Sequence, residues 1–272
     1  MGTNHALAPV VVGLDRANAG TGVAYGAAEA ARTGRPLDLV HVAPIVDGWL
    51  ATIGRDTLTV AASRAAAQVA DRAEVRSTLL HGQVVEQLAQ AADGAALVVL
   101  ELLPPDQQRQ PGRSVTLALA DRLDAPVVVV PADWVGHRRS IVTVGFDPAA
   151  PDETALRTAV TQARLRLATL RVVVAGPRGD VDARLARLGA DGCDLAVEEV
   201  VGDPASALRS AALTSDLLVV GRHDPASRDS SRLGPVSQTM LQGPPCPVLL
   251  TPPGHGHGGS APVAHSRLGL TG

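Results

Sequence analysis

The 272-residue sequence contains no lysine: all 24 of its basic side chains are arginines. That excludes a Walker A lysine, a Schiff-base lysine and a lysine general base together. Aromatic residues are almost as scarce, being confined to Tyr25, Trp49, Trp134 and Phe146, and the net charge is −3. A nucleic-acid binder shows a basic face and, for single strands, stacking aromatics, and neither signal is present. The two cysteines, Cys193 and Cys246, lie in no CxxC or CxxH context and read as small buried apolar residues rather than as a disulfide or metal ligands. No segment reaches about 18 uninterrupted apolar residues, and the opening MGTNHALAPVVVGLD has no basic region followed by an apolar stretch. The expectation is a cytoplasmic protein without nucleic acid or membrane among its partners.

What the sequence does have is a repeat, which changes every later assignment. VVVGLD (10–15) recurs as VTVGFD (142–147), and LDLVHV (37–42) as ATLRVVV (168–174). Gly82 in LLHGQVVEQLAQAADGAALVVL matches Gly202 in EVVGDPASALRSAALTSDLLVVG, and DAPVVVVP (124–131) matches PPCPVLLTP (244–252). The chain therefore divides into an extension (1–8), a first unit (9–131), a linker (132–139), a second unit (140–252) and a Gly-, His- and Pro-rich tail (253–272) expected to be disordered.

Within each unit, short Val and Leu runs alternate with Ala-rich helical segments. Leu156, Ala159, Val160, Ala163 and Leu167 fall on one helical face, and Asp203 with Pro204 reads as the cap and first turn of a helix carrying Leu208, Ala211 and Ala212 inward. Near-continuous apolar runs such as PVVVV mark strands covered on both faces. The alternation specifies an α/β fold with a parallel sheet, five strands and four helices per unit, and ligands outside the carboxyl ends of the strands. The final strands of the two units, Pro126–Val130 and Pro247–Thr251, are short and apolar, so they are expected to meet as an intrachain pseudo-dimer rather than remain as open edges.

Two copies of V-x-V-G-x-D, an inner glycine before the third helix, and then LVVG, a loop and a helix ending before CPV resemble a tandem universal stress protein. The resemblance covers roughly residues 8–131 and 139–252. It implies two Rossmann-like, adenine nucleotide α-hydrolase-like domains, each a five-stranded parallel sheet of order 3-2-1-4-5 with helices on both faces. It also implies ATP or another adenine nucleotide, with Mg²⁺, held through a G-x2-G-x9-G-[ST] loop, and a role in stress response or signalling.

Carried onto the second unit, the pattern keeps Gly221 and Gly234, places Asp224 where the middle glycine belongs, and has Pro235 for the Ser or Thr. The implied nucleotide site is Gly145, Asp147, Val174, Gly221, Arg222, Gly234, Pro235, Val236 and Ser237. Arg222, His223, Arg228 and Arg232 offset Asp224, whose charge alone repels a phosphate 4 Å away by about 1 kcal/mol in bulk water. In the first unit, counting back from Val127 puts Leu100, Leu103 and Arg113 at the glycine positions, so only weaker candidates remain: Asp15, Val42, Ser114, Val115 and Thr116. Arg109 and Arg113 there are expected to be exposed to a partner.

Two readings of the second loop stand at this stage, a nucleotide site and a plain strand-to-helix connection, and Asp147 is equally a ligand group or a turn residue. No G-x-S-x-G, H-E-x-x-H or Walker A pattern occurs, so catalysis is at most a very slow ATP hydrolysis. His255 and His257 are read as tail residues rather than a metal site, His41 as a packing residue, and Trp49 and Trp134 as anchors at an interface or linker. A homodimer or an unidentified protein partner completes the expected contacts.

Overall fold

The computed structural model describes residues 7–15, 20–43, 48–103, 115–136, 139–222 and 233–252, with the backbone alone for residues 48–50. The expectations for most of the N-terminal extension, for Arg109, Arg113, Ser114, His223, Asp224, Arg228 and Arg232, for the Trp49 side chain and for the tail with His255 and His257 lie outside the described residues.

The first half runs β1 (Val10–Leu14), α1 (Thr21–Thr33), β2 (Leu37–Ala43), α2 (Gly48–Val69), β3 (Val75–His81), α3 (Val84–Ala91), β4 (Leu97–Leu102), α4 (Val115–Arg122) and β5 (Val127–Pro131). The second half repeats the pattern with β6 (Ile141–Phe146), α5 (Glu153–Arg166), β7 (Thr169–Ala175), α6 (Val181–Arg187), β8 (Leu195–Val200), α7 (Pro204–Ala212), β9 (Leu217–Gly221), α8 (Pro235–Leu241) and β10 (Val248–Thr251). A single 3-10 turn, Ala190–Gly192, follows α6.

The strands form one ten-stranded sheet in the order β3-β2-β1-β4-β5-β10-β9-β6-β7-β8. Each half has the order 3-2-1-4-5, with parallel pairing throughout, but the halves share one sheet rather than having two. The join is the antiparallel pair β5·β10, where Val129 faces Val248, Val128 faces Leu249 and Val127 faces Leu250. All six of these side chains are buried. Pairing the two final strands with each other removes the edges that each would otherwise present.

Alternation along the strands divides the core between two faces. Val12, Val99, Val144 and Val219 pack under α1, α2, α5 and α6, whereas Val98, Leu100, Val173 and Val220 pack under α3, α4, α7 and α8. The helix ends follow local rules. Asp203 caps α7 by accepting from the Ala205 and Ser206 amides, with Pro204 in the first turn, and Leu208, Ala211 and Ala212 turn inward. On α5, Leu156, Ala159, Val160 and Ala163 are buried, but Leu167 is 92% exposed. It closes the helix in a left-handed conformation, φ 51°, so the apolar face ends one turn sooner than the periodicity implies.

The halves are tied further by side chains. Arg166, at the end of α5, pairs with Glu29 of α1 and donates to the Tyr25 hydroxyl at 2.9 Å. Burial pushes that hydroxyl above its ordinary range, with Arg166 pulling against it. Trp134, just after β5, meets Tyr25 edge-on with ring centroids 5.9 Å apart, so the expected anchor role is its own. Where the chain enters β6, Asp216 accepts from the Arg139 and Ser140 amides and fixes the start of the second half.

Candidate functional site

In each half the strand order reverses between its first and fourth strands, the place where open α/β sheets hold ligands. In the second half this point is β6·β9, whose pairing ends at Val144 with Val219. Beyond it a cavity of about 250 Å³ opens at the carboxyl ends of the strands. Its apolar floor and wall are Val173, Val200, Leu208 and Val220; Asp147 and Asp152 stand on one side, and Gly234, Pro235 and Val236 on another. In the first half the corresponding pairing runs one step further, through Gly13 with Leu100.

The cavity brings together Gly145, Asp147, Gly221, Arg222, Gly234, Pro235, Val236 and Ser237. Val174 is not in its lining: strand alternation sends that side chain to the α5 and α6 face, and Val173 and Ala175 face the cavity instead. Asp147 is exposed beside the cavity, and its Oδ1 accepts the Ala149 amide at 2.8 Å, so it closes a turn. Gly145 is a packing glycine as well, since a Cβ there would stand 2.9 Å from the Leu208 side chain.

The phosphate end is built differently from the resemblance. Arg222 gives the cavity only its backbone. Its guanidinium is fully buried in the first half, donating to the carbonyls of Ala120, Leu123 and Ala125 at the end of α4 and the turn into β5. The expected compensation of an acidic loop by Arg222 is therefore corrected: the desolvated charge is spent on three peptide dipoles. Gly234 donates its amide to the Arg222 carbonyl at 3.0 Å, and Pro235 has no amide to donate. Ser237 donates its hydroxyl to the Gly221 carbonyl at 2.5 Å. α8 has only seven residues, and no side chain caps its first turn.

Asp152 was not among the residues singled out from the sequence. It caps α5 through Oδ1, which accepts from the Thr154 and Ala155 amides, while Oδ2 lies against Gly221, where any Cβ would collide with it. The glycine that reads as a phosphate-loop residue is thus required by a carboxylate. The signal was present in PDETALRTAV, where an aspartate directly precedes the helical period.

In the first half the same point carries an acidic side chain. Val12 pairs with Val99 as Val144 pairs with Val219, so the counterpart of Gly221 is Glu101, not Leu100. Glu101 Oε2 accepts the Gly22 amide at 2.8 Å and so caps α1, whose own N-cap residue, Gly20, has no side chain to do so. Burial raises the Glu101 pKa, the Gly22 and Thr21 amides pull it down, and Asp15 raises it further. Asp15 is exposed, Val42 is buried in the core, and Val115 is exposed at the start of α4. Thr116 donates to the Glu101 carbonyl at 3.2 Å, the same strand-to-helix tie that Ser237 makes. His41 is a packing residue: 3% exposed, it has Nδ1 2.9 Å from the Leu14 carbonyl and its ring against Gly54 of α2.

For the adenine nucleotide implied by the resemblance, the residues divide. The apolar lining suits a flat base and a sugar, and the volume lies just under the usual ligand-pocket range of roughly 300–1,000 Å³. Among the described residues a polyphosphate meets a poor fit: Gly221 is covered by a carboxylate, the Arg222 guanidinium is turned away, and the Gly234 amide is bonded to the Arg222 carbonyl. Among the described residues no group of three His, Cys, Asp or Glu side chains could hold a metal, and no helix is long and apolar enough to cross a membrane.

No protein-family model and no curated protein matches the sequence. Solved structures do. A universal stress protein from Archaeoglobus fulgidus DSM 4304 superposes with a TM-score of 0.68 at 14% identity, over 90% of this chain and 97% of that one. A functionally unknown protein from Pseudomonas aeruginosa PAO1 gives 0.59 at 18%, over 90% and 91%. A protein from Pseudomonas aeruginosa UCBPP-PA14, provisionally named a universal stress protein, gives 0.57 at 17%, over 89% and 91%. The likeness spans both halves and shows the fold.

Proposed function

We propose that the chain is a tandem universal stress protein, with domains at 9–131 and 140–252, that acts in the cytoplasm as a stress-response or signalling protein by holding an adenine-containing ligand in its second half. One observation carries this reading: the crevice at the strand-order reversal is open between β6 and β9 and lined with apolar residues, whereas at the equivalent point of the first half the pairing runs one step further and Glu101 stands where the second half has Gly221. The two halves then have different tasks, one binding and one structural.

The test is equilibrium dialysis of the full chain with labelled adenosine. One saturable site per chain, lost in Ala175→Trp, which fills the crevice from the end of β7, is the expected result. Two sites would make the first half functional, and no saturable site would reject ligand binding. A second reading, a ligand-free scaffold acting through protein contacts or as a homodimer, draws on Arg222, whose placement makes the second loop's start a structural tie to the first half.

A further inference from the structure

The crevice has two ends of different chemistry, and the difference selects a ligand. Its inner wall is apolar, formed by Val173, Leu208 and Val220. Its outer end presents Asp152 Oδ2 over Gly221, with Asp147 also in the lining. Among the described residues, several groups that could meet an anion there are engaged elsewhere. The Arg222 guanidinium serves three carbonyls of the first half, the Gly234 amide is bonded to the Arg222 carbonyl, the Ser237 hydroxyl is bonded to Gly221, and Pro235 has no amide. An anion reaching Gly221 would meet the Asp152 carboxylate, which cannot swing away without uncapping α5.

We propose that the second-half crevice takes a nucleoside without a polyphosphate chain, and that Asp152 is the residue that rejects the phosphates. This rests on the reading of the crevice as an adenine site. Carboxylates at that end also accept hydrogen bonds from sugar hydroxyls, so the same residue that repels a phosphate suits an unsubstituted ribose. Selectivity here comes from a repulsive element as much as from an attractive one.

The experiment is calorimetric titration of the full chain with adenosine and with ATP, each with and without Mg²⁺, on the parent protein and on Asp152→Asn and Asp152→Ser, both of which retain a capping side chain. The readout is the ratio of the ATP and adenosine dissociation constants, which is insensitive to any loss of active protein in a variant. In the parent, ATP is expected to bind about tenfold or more weakly than adenosine, about 1.4 kcal/mol. The ratio should fall toward one in both variants. ATP binding as tightly as adenosine in the parent, with or without Mg²⁺, or a ratio unmoved in both variants, overturns the assignment while leaving the adenine site intact. Absence of adenosine and ATP binding alike overturns the site itself, and the assignment with it.

Discussion

Asp152 and Glu101 bring a carboxylate to the same point of two like crevices from opposite walls. In the second half, Asp152 at the helix start lies over Gly221 at the strand end; in the first half, Glu101 at the strand end reaches back to the amide of Gly22, over a helix start whose cap position is Gly20. Each helix receives its cap, and each pair consists of one acid and one glycine. Only the origin of the acid differs, and that origin decides whether the strand end is open or filled.

The exchange gives a double-mutant cycle. Glu101→Gly alone should cost about 1–2 kcal/mol, through loss of the α1 cap. Gly20→Asp alone should be neutral or destabilising, because it sets a second carboxylate beside Glu101. Together they recreate the second-half arrangement, and Gly20→Asp should then recover about 1 kcal/mol. Urea unfolding of the four proteins measures the coupling, and strictly additive effects would contradict the shared position.

Arg222 is expected to matter for stability more than for ligand affinity. Arg222→Met keeps much of the buried volume but leaves the Ala120, Leu123 and Ala125 carbonyls without this donor, at a cost of roughly 1–3 kcal/mol. The midpoint of denaturant unfolding should fall accordingly. A midpoint unchanged from the parent would show that the three bonds contribute nothing net.

The raised pKa of Glu101 predicts a pH dependence. Below its ordinary value of 4.5 the carboxyl is protonated in both states and the group contributes no difference. As pH rises, the unfolded chain releases its proton first, so folding stability falls until Glu101 ionises in the folded state as well, and the deficit is then constant. Glu101→Gln removes this step. Stability curves of parent and variant between pH 4 and 7 should therefore diverge in the variant's favour as pH rises, and parallel curves would reject the shift.

The two cysteines should differ in reactivity. Burial pushes the Cys246 thiol up to about 12, and the side chain is 1% exposed, whereas Cys193 is partly exposed. The thiolate is the nucleophile, so iodoacetamide at pH 8 should modify Cys193 in the folded protein and spare Cys246 until denaturant is added. Peptide mass mapping reads the two sites, and early labelling at Cys246 would contradict its burial.

Two kinds of information made this protein. The sequence by itself determined the repeat, the alternation of strand and helix, the capped start of α7, the buried faces of α5 and α7 and the meeting of the final strands, because each rests on local periodicity, cap chemistry or the cost of an open sheet edge. It also pointed to several of the residues that line the second crevice, since V-x-V-G-x-D and the spaced glycines fall at strand ends, but it named Val174, which packs on the other face, and missed Asp152. What those residues do was decided only by the tertiary structure. Gly221 looks the same in a string whether a phosphate or Asp152 lies over it, and Arg222 looks like a phosphate ligand until α4 of the other half supplies three carbonyls within its reach. Whether Glu101 or Leu100 is the first-half counterpart of Gly221 likewise turns on a register of one residue, which strand pairing fixes and counting along the chain does not. Hydrogen-bond partners distant in sequence leave no periodic trace, so the fold could be read from the residues and the commitment of each polar group could not.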